Sequence, residues 1–207
     1  MTGVEPTVSP AAATATVFLV RHGRTALNAA GVLRGQLDPP LDDVGRGEAG
    51  RLAELFRGAA LNRIVSSPLV RAVETAQLIS AACGLPVTVE DALIDRDYGP
   101  VAGRDRGEVE KTTGPLGSIE GVEAQDQLAH RVMAAFERLT ATAANERVLA
   151  VAHDAVNRTL IASLAPADFE DVELIPQRTG CWNRIRRVAG AWRVEIVDAV
   201  PGEGNAL

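Results

Sequence analysis

Three short apolar segments, each followed closely by arginine or histidine, constrain the fold more than any other feature of the chain. They are Val17–Val20 before Arg21-His22, Ile64–Ser67 before Arg71, and Val148–Ala152 before His153. Apolar runs of this length are typical of strands buried in a parallel sheet. Parallel strands bring their carboxyl ends to one edge, so we expect two arginines and two histidines to share one pocket there.

Helical patterns between these segments supply the crossovers that parallel strands need. Asp42 or Asp43 is expected to cap a helix that runs to about Phe56. Ser67-Pro68 has the pattern of an N-cap and first helical residue, and Gly84 is expected to close that helix. Two further helices are predicted by apolar spacings of three and four, one at about 123–144 and one after His153.

The remaining segments complete an α/β prediction: a three-layer α/β/α sandwich on a largely parallel sheet. Val87–Val89 is a further strand, and residues 183–188 and 192–197 form a hairpin toward one edge of the sheet. The segment 31–40 is irregular and is expected to fold over the site, as is 91–121, which we expect to be ordered yet to leave access for water. Residues 1–16 are interpreted as a flexible tail, and 17–200 as one domain.

Composition limits the classes of partner. The chain has 207 residues, is 46% hydrophobic and carries a formal net charge of −6, which argues against nucleic acid or an anionic membrane as partner. The two cysteines, Cys83 and Cys181, are too far apart in sequence for a metal or redox pair, so a reduced cytoplasm is the expected setting. The apolar run that follows the first sixteen residues is too short for a signal peptide or a membrane span.

The expected constellation suits a phosphate dianion. Arg21 and Arg71 offer rigid forks of donors, and His22 is a nucleophile that works near neutral pH. Gly23 lets the backbone approach a ligand closely or take a positive φ, and Thr25 and Asn28 add neutral donors.

Other chemistries fit less well. Two histidines beside arginines, without a third ligand, make a poor metal site. The nucleophile elbow of serine hydrolases, the P-loop and the dinucleotide fingerprint are absent from the sequence. Taken one at a time, the motifs also fit a surface loop at Arg21-His22 and a surface ion pair between Arg71 and Glu74.

Two motifs together resemble the histidine phosphatase superfamily, whose fold is that of phosphoglycerate mutase. They are Arg21-His22-Gly23 with Thr25 and Asn28, and Ser66-Ser67-Pro68-Leu69-Val70-Arg71-Ala72-Val73-Glu74-Thr75-Ala76, followed by His153 after a strand. The resemblance extends from Val17 to about Val197. It implies that His22 carries a phosphohistidine, that Arg21, Arg71 and His153 hold the phosphoryl group, and that no metal or other cofactor is needed. It also implies that Asn28 and Gly35 lie beside the substrate and that Asp95 is the proton donor.

Three positions depart from the family pattern. Asp95 is one methylene shorter than the usual glutamate, which leaves Asp97 as an alternative donor. Arg24 stands where many members have glutamate or glutamine, and adds positive charge at the mouth of the site. Asp154 stands where glycine is usual, which is expected to alter a backbone N–H contact.

The favoured function is a phosphatase acting on a small phosphorylated metabolite, its expected partner. A phosphoglycerate mutase is the first alternative, because Asp95-Arg96-Asp97-Tyr98-Gly99 resembles the mutases' Glu-Arg-x-Tyr-Gly. The second alternative is a non-catalytic protein that binds a phosphorylated ligand, because Asp95 is a shorter acid than the family's usual glutamate. The oligomeric state is not set by the sequence, and a homodimer is the assembly considered.

Overall fold

The computed structural model describes residues 14–141, 143, 145–169, 171–205 and 207. Within them, six strands form one sheet in the order β3-β2-β4-β1-β5-β6. The strands are β1 (Ala15–Arg21), β2 (Arg63–Ser66), β3 (Val87–Val89), β4 (Arg147–Ala152), β5 (Trp182–Val188) and β6 (Ala191–Ala199). Pairing is parallel from β3 through β1, whereas β5 and β6 pair antiparallel at one edge. The predicted α/β class, largely parallel sheet and edge hairpin are confirmed.

The helices of the described residues are α1 (Ala26–Ala29), α2 (Asp43–Phe56), α3 (Val70–Cys83), α4 (Arg106–Thr113), α5 (Gln125–Thr140) and α6 (Asp154–Leu164). Side chains of β1 alternate between two cores. Phe18 and Val20 pack in the core that includes residues of α2 and α3, whereas Val17 and Leu19 pack with residues of α5 and α6. A sheet with helices on both faces is the three-layer sandwich that the sequence predicts.

Two predicted boundaries were wrong. Strand β1 begins at Ala15, not Val17, because Ala15 pairs with Arg187 of β5 and Thr16 donates to the carbonyl of Glu146. The other thirteen residues of the predicted tail lie outside the described residues. Helix α3 begins at Val70 with Leu69 as its cap, two residues later than predicted.

The predicted ends of two helices are confirmed. Asp42 caps α2 by accepting a hydrogen bond from the backbone N–H of Gly45 at 2.8 Å. Gly84 ends α3 in the left-handed conformation, with φ of 71°.

The excursion at 91–121 is ordered, as predicted, but it contains a helix that the sequence pattern did not indicate. Helix α4 contributes Val109 to a small core with Tyr98, Val101 and Leu116, and Leu33 from the 31–40 segment completes it. This core joins two segments that flank the carboxyl ends of the strands.

Candidate active site

His22 follows β1 and is fully buried at the carboxyl edge of the sheet. Its Nδ1 lies 2.6 Å from the carbonyl oxygen of Gly23, so we assign the proton to Nδ1, which donates to that acceptor. Its Nε2 then carries the lone pair. Burial, followed by Arg71, Arg21 and Arg34, lowers the pKa of His22 well below its usual value, and the imidazole is therefore neutral near pH 7.

Arg71 lies in the interior beside His22, in the first turn of α3. Its Nε donates to Nε2 of His22 at 3.2 Å, and its Nη2 donates to Oδ2 of Asp95 at 2.9 Å and to the carbonyl of Gly35 at 2.8 Å. The alternative of a surface ion pair with Glu74 was wrong, since Arg71 is fully buried and Glu74 accepts from the backbone of Leu41.

The ring of His153 lies next to that of His22, with the two ring centroids 5.2 Å apart. Its Nε2 is 2.7 Å from the hydroxyl of Ser67. Its Nδ1 is 3.8 Å from Oδ2 of Asp95 and has no hydrogen-bond partner among the described residues. Burial and then Arg71 lower the pKa of His153 well below its usual value.

A backbone carbonyl and a carboxylate hold the guanidinium group of Arg21. Its Nη1 donates to the carbonyl of Gln177, and its Nη2 lies 3.5 Å from the carboxylate of Asp154. Asp154 also accepts from Nη2 of Arg34 at 3.2 Å. Burial alone would raise the pKa of Asp154, but Arg21, Arg34 and Arg158 together hold it well below its usual range. The carboxylate at this unusual position therefore orients two arginines.

Asp95, the candidate proton donor, is a further carboxyl group in this cluster. Burial, and then the charge of Asp154, raise the pKa of Asp95 to about 6, against the opposing effect of Arg71. Asp97 faces a different environment, because its Oδ1 accepts from the backbone N–H of Gly99 and its own N–H donates to Glu123. Of the two candidate donors, Asp95 is the one that contacts Arg71.

Of the two expectations for Gly23, the positive φ was wrong, and a close approach to a ligand stays a prediction. Its φ lies outside the left-handed region, and its close approach is to α2: a Cβ on Gly23 would lie 2.4 Å from the carbonyl oxygen of Gly45. Gly35 does have a positive φ, of 50°, and its carbonyl holds Arg71, as described above.

The side chains of Thr25 and Asn28 bond to each other. They form the capping box of α1, in which the Thr25 hydroxyl donates to the Asn28 side-chain oxygen at 2.8 Å. Arg24 adds little net charge at the mouth, because its Nε pairs with Asp42 at 2.9 Å. Contact of these side chains with a substrate stays a prediction.

Sequence reasoning missed Arg34, Ser67 and Arg131. The weak signal for Arg34 was its place in the irregular 31–40 segment, and Ser67 was assigned to a helix cap. Arg131 on α5 holds the backbone around the acid, since it donates to the carbonyls of Ile94 at 2.8 Å and Asp95 at 3.2 Å. Nothing in the periodicity of α5 distinguishes Arg131 from a surface arginine.

His130, predicted to be a solvated surface residue, is exposed on α5. Among the described residues, no cluster of three or more His, Cys, Asp or Glu side chains is arranged to hold a metal ion. Over the same residues, none of the helices has the length and apolar character needed to span a membrane.

Phosphoryl transfer uses groups of the kinds that meet at this edge of the sheet: a neutral histidine, buried arginines and a carboxyl group of raised pKa. The chain belongs to the histidine phosphatase superfamily (branch 1), whose sequence profile it matches over residues 17–199. The family and its named relatives support an enzyme with phosphatase or mutase activity.

Relatives carry both kinds of name. "Uncharacterized phosphatase PhoE" of Bacillus subtilis (strain 168) is 30% identical over 181 residues, covering 86% of this chain and 92% of that protein. "Phosphoglycerate mutase-like protein 4" of Arabidopsis thaliana is 34% identical over 166 residues, covering 74% and 72%. Among solved structures, mycobacterial glucosyl-3-phosphoglycerate phosphatase with VO3 is 25% identical, with a TM-score of 0.81 over 89% of this chain and 99% of that one.

Proposed function

We propose that the chain is a phosphatase that hydrolyses a small phosphorylated metabolite through a phosphohistidine on Nε2 of His22. The observation that carries this proposal is the 2.6 Å contact between Nδ1 of His22 and the carbonyl of Gly23. It directs the lone pair of a neutral imidazole toward Arg71, where a phosphoryl group would meet a fixed positive charge.

In the first half-reaction, Nε2 of His22 attacks phosphorus while the bond from phosphorus to the ester oxygen breaks. Asp95, in its protonated form, gives its proton to the leaving oxygen. Arg21, Arg71 and His153 donate to the phosphoryl oxygens and stabilise the charge spread over them in the transition state. The orphaned Nδ1 of His153 and Nε of Arg21 supply donors for this task.

In the second half-reaction, water attacks phosphorus and the bond from phosphorus to His22 breaks. The carboxylate of Asp95 takes the proton from that water, which restores both residues for the next cycle. Its raised pKa, about 6, suits a group that alternates between acid and base near neutral pH.

Metal independence is part of the same proposal. The positive charge that a metal would supply to a phosphoryl oxygen is available from Arg21, Arg34 and Arg71, which surround His22 closely enough to lower its pKa. Three guanidinium groups would also repel a divalent cation from this pocket.

The competing candidate is a phosphoglycerate mutase, which the name of the Arabidopsis thaliana relative favours. Both reactions pass through the same phosphohistidine and differ in whether water or a second substrate hydroxyl removes the phosphoryl group. The deciding experiment is to incubate the protein with a panel of phosphorylated metabolites that includes 3-phosphoglycerate. We expect inorganic phosphate to appear in proportion to the substrate consumed, without a bisphosphoglycerate requirement.

Rapid interconversion of 3- and 2-phosphoglycerate with negligible phosphate release would replace the phosphatase by the mutase. Binding of phosphorylated ligands with neither reaction would favour the non-catalytic alternative.

A further inference from the structure

Arg131, on α5, forms hydrogen bonds along the backbone that leads to the proposed proton donor. Its Nε and Nη2 donate to the two carboxylate oxygens of Glu123, at 2.6 Å and 2.9 Å. Its Nη1 donates to the carbonyls of Ala92 and Ile94, each at 2.8 Å, and Nη2 also donates to the carbonyl of Asp95 at 3.2 Å. These bonds use all five N–H donors of the guanidinium group, so Arg131 has a fixed place against this segment.

Glu123 holds the same segment on the far side of the acid. Its backbone N–H donates to the carbonyl of Asp97 at 2.8 Å, and its Oε2 accepts from the N–H of Asp97 at 3.2 Å. Its carbonyl accepts from Nε of Arg96 at 2.9 Å. The Arg131–Glu123 pair therefore bonds to the chain both before and after Asp95.

The backbone of 92–97 in turn decides where the acid lies. A single methylene joins the carboxyl group of Asp95 to its Cα, so the carboxyl group follows any shift of the backbone closely. Its Oδ1 accepts from the N–H of Arg96 at 2.9 Å, and its Oδ2 accepts from Nη2 of Arg71 at 2.9 Å. Proton transfer needs the acid within about 2.6–3.2 Å of the oxygen that receives the proton. A displacement of about an ångström would break that contact.

An arginine that only forms a surface ion pair would look different, and α5 provides an example. Arg138 donates to one carboxylate, that of Glu90 at 2.9 Å, and its side chain is 56% exposed. The side chain of Arg131 is 22% exposed, and three of its five hydrogen bonds go to carbonyl oxygens of one segment. Neutralising a carboxylate does not need those three bonds.

We propose that Arg131, paired with Glu123, is a positioning residue that holds the 92–97 backbone where the carboxyl group of Asp95 reaches the leaving oxygen. The inference rests on the proposed function, in which Asp95 is the general acid. The hydrogen bonds of Arg131 go to Glu123 and to this segment, and not to His22. Loss of Arg131 is therefore expected to impair proton donation and to spare the attack by His22.

The test compares two leaving groups in the phosphorylation step, measured by burst kinetics. Arg131→Lys keeps the charge but replaces a rigid fork of five donors by a compact group of three. We expect phosphorylation by an alkyl phosphate to slow by about 10- to 100-fold, the usual effect of a misplacement of about 1 Å. Phosphorylation by p-nitrophenyl phosphate should stay within about twofold, because nitrophenolate leaves without a proton. Arg138→Gln, the matched control on the same helix, should leave both rates unchanged.

A double variant separates positioning from a general loss of structure. Arg131→Lys combined with Asp95→Asn should show the same ratio of the two rates as Asp95→Asn alone, because no acid is left to position. An unchanged ratio in Arg131→Lys would overturn the proposal, as would a further change of the ratio in the double variant. If Arg131→Lys fails to fold, Glu123→Gln replaces it, since its one amide oxygen cannot serve all three N–H groups that the carboxylate accepts.

This proposal and the proposed function fail separately. Phosphate release by the wild-type protein with an unchanged ratio in Arg131→Lys would keep the phosphatase and remove the positioning role. Transfer to a second substrate without phosphate release would remove the phosphatase, while the ratio in the phosphorylation step would still decide the role of Arg131. A wild-type protein that is not phosphorylated by either substrate would overturn both.

Discussion

Nε of Arg71 donates to Nε2 of His22 over 3.2 Å, so the arginine occupies the lone pair that the proposed reaction needs. A phosphoryl group entering the site would take over this hydrogen bond and leave Nε2 facing phosphorus. The fixed side of the imidazole is Nδ1, held by the carbonyl of Gly23. In the proposed reaction, substrate binding would therefore also free the nucleophilic nitrogen.

The first prediction concerns the phosphoenzyme. His22→Ala should abolish turnover and remove the acid-labile label that the wild-type protein acquires from a ³²P-labelled substrate. His130→Ala is the matched control, because His130 is exposed on α5 and should retain both. Turnover of His22→Ala above a few per cent of wild type would contradict the assignment.

The convergence of His22, Arg71 and His153 could be predicted from the sequence because it follows from general rules. Apolar runs ending in functional groups indicate buried strands, and parallel strands align their carboxyl ends. The helix starting near residue 70 could also be placed, although Ser67 was misassigned as its cap. The hydroxyl of Ser67 instead forms a hydrogen bond with His153, 86 positions away, and no local sequence pattern predicts such a contact.

The ion pair of Arg34 with Asp154 could not be predicted for a similar reason. Arg34 lies in an irregular segment whose path depends on a small core shared with Tyr98 and Val109. Helix α4 was missed because that core, rather than an apolar stripe of its own, stabilises it. Where a segment is ordered by tertiary contacts alone, sequence periodicity carries little information.

The second prediction identifies the proton donor. Asp95→Asn should slow hydrolysis of an alkyl phosphate by about 10²- to 10⁴-fold, the usual contribution of general acid catalysis. It should slow p-nitrophenyl phosphate much less in the phosphorylation step, because nitrophenolate leaves without a proton. Burst kinetics separate that step from the hydrolysis of the phosphoenzyme. Asp97→Asn should leave the ratio of the phosphorylation rates for the two substrates unchanged, because the carboxylate of Asp97 accepts from the backbone N–H of Gly99.

The third prediction is a pH profile. The pKa of Asp95 is raised to about 6, and its protonated form is the acid. As pH rises through 6 this form is lost, so kcat/KM for an alkyl phosphate should fall about tenfold per pH unit above that point. In Asp95→Asn the descending limb should disappear. A descending limb that persists in this variant would mean that another group titrates.

The fourth prediction is that activity does not need a divalent ion. Treatment with EDTA, followed by assay in metal-free buffer, should leave kcat and KM within about twofold of the untreated protein, because arginines supply the positive charge. If EDTA abolishes activity and a divalent ion restores it, metal independence is refuted. The phosphohistidine is tested separately, by the ³²P label on His22.

The fifth prediction assigns Asp154 the role of a positioning residue. It orients Arg21 and Arg34 and its negative charge raises the pKa of Asp95. Asp154→Asn removes that charge and leaves Arg34 less neutralised, and both changes favour the carboxylate form of Asp95. The descending limb of kcat/KM should therefore move to lower pH.

For Asp154→Asn the decisive measurement is the pH at which kcat/KM begins to fall, rather than the value of kcat/KM. A loosened arginine would lower the rate at every pH and would not move that point. A shift of about half a pH unit or more corresponds to the effect of one partly screened charge. Asp43→Asn is the matched control, since Asp43 is an exposed carboxylate at the start of α2 and should leave the limb in place. A lower rate with an unmoved limb would mean that Asp154 acts on Arg21 and Arg34 alone and does not set the protonation of Asp95.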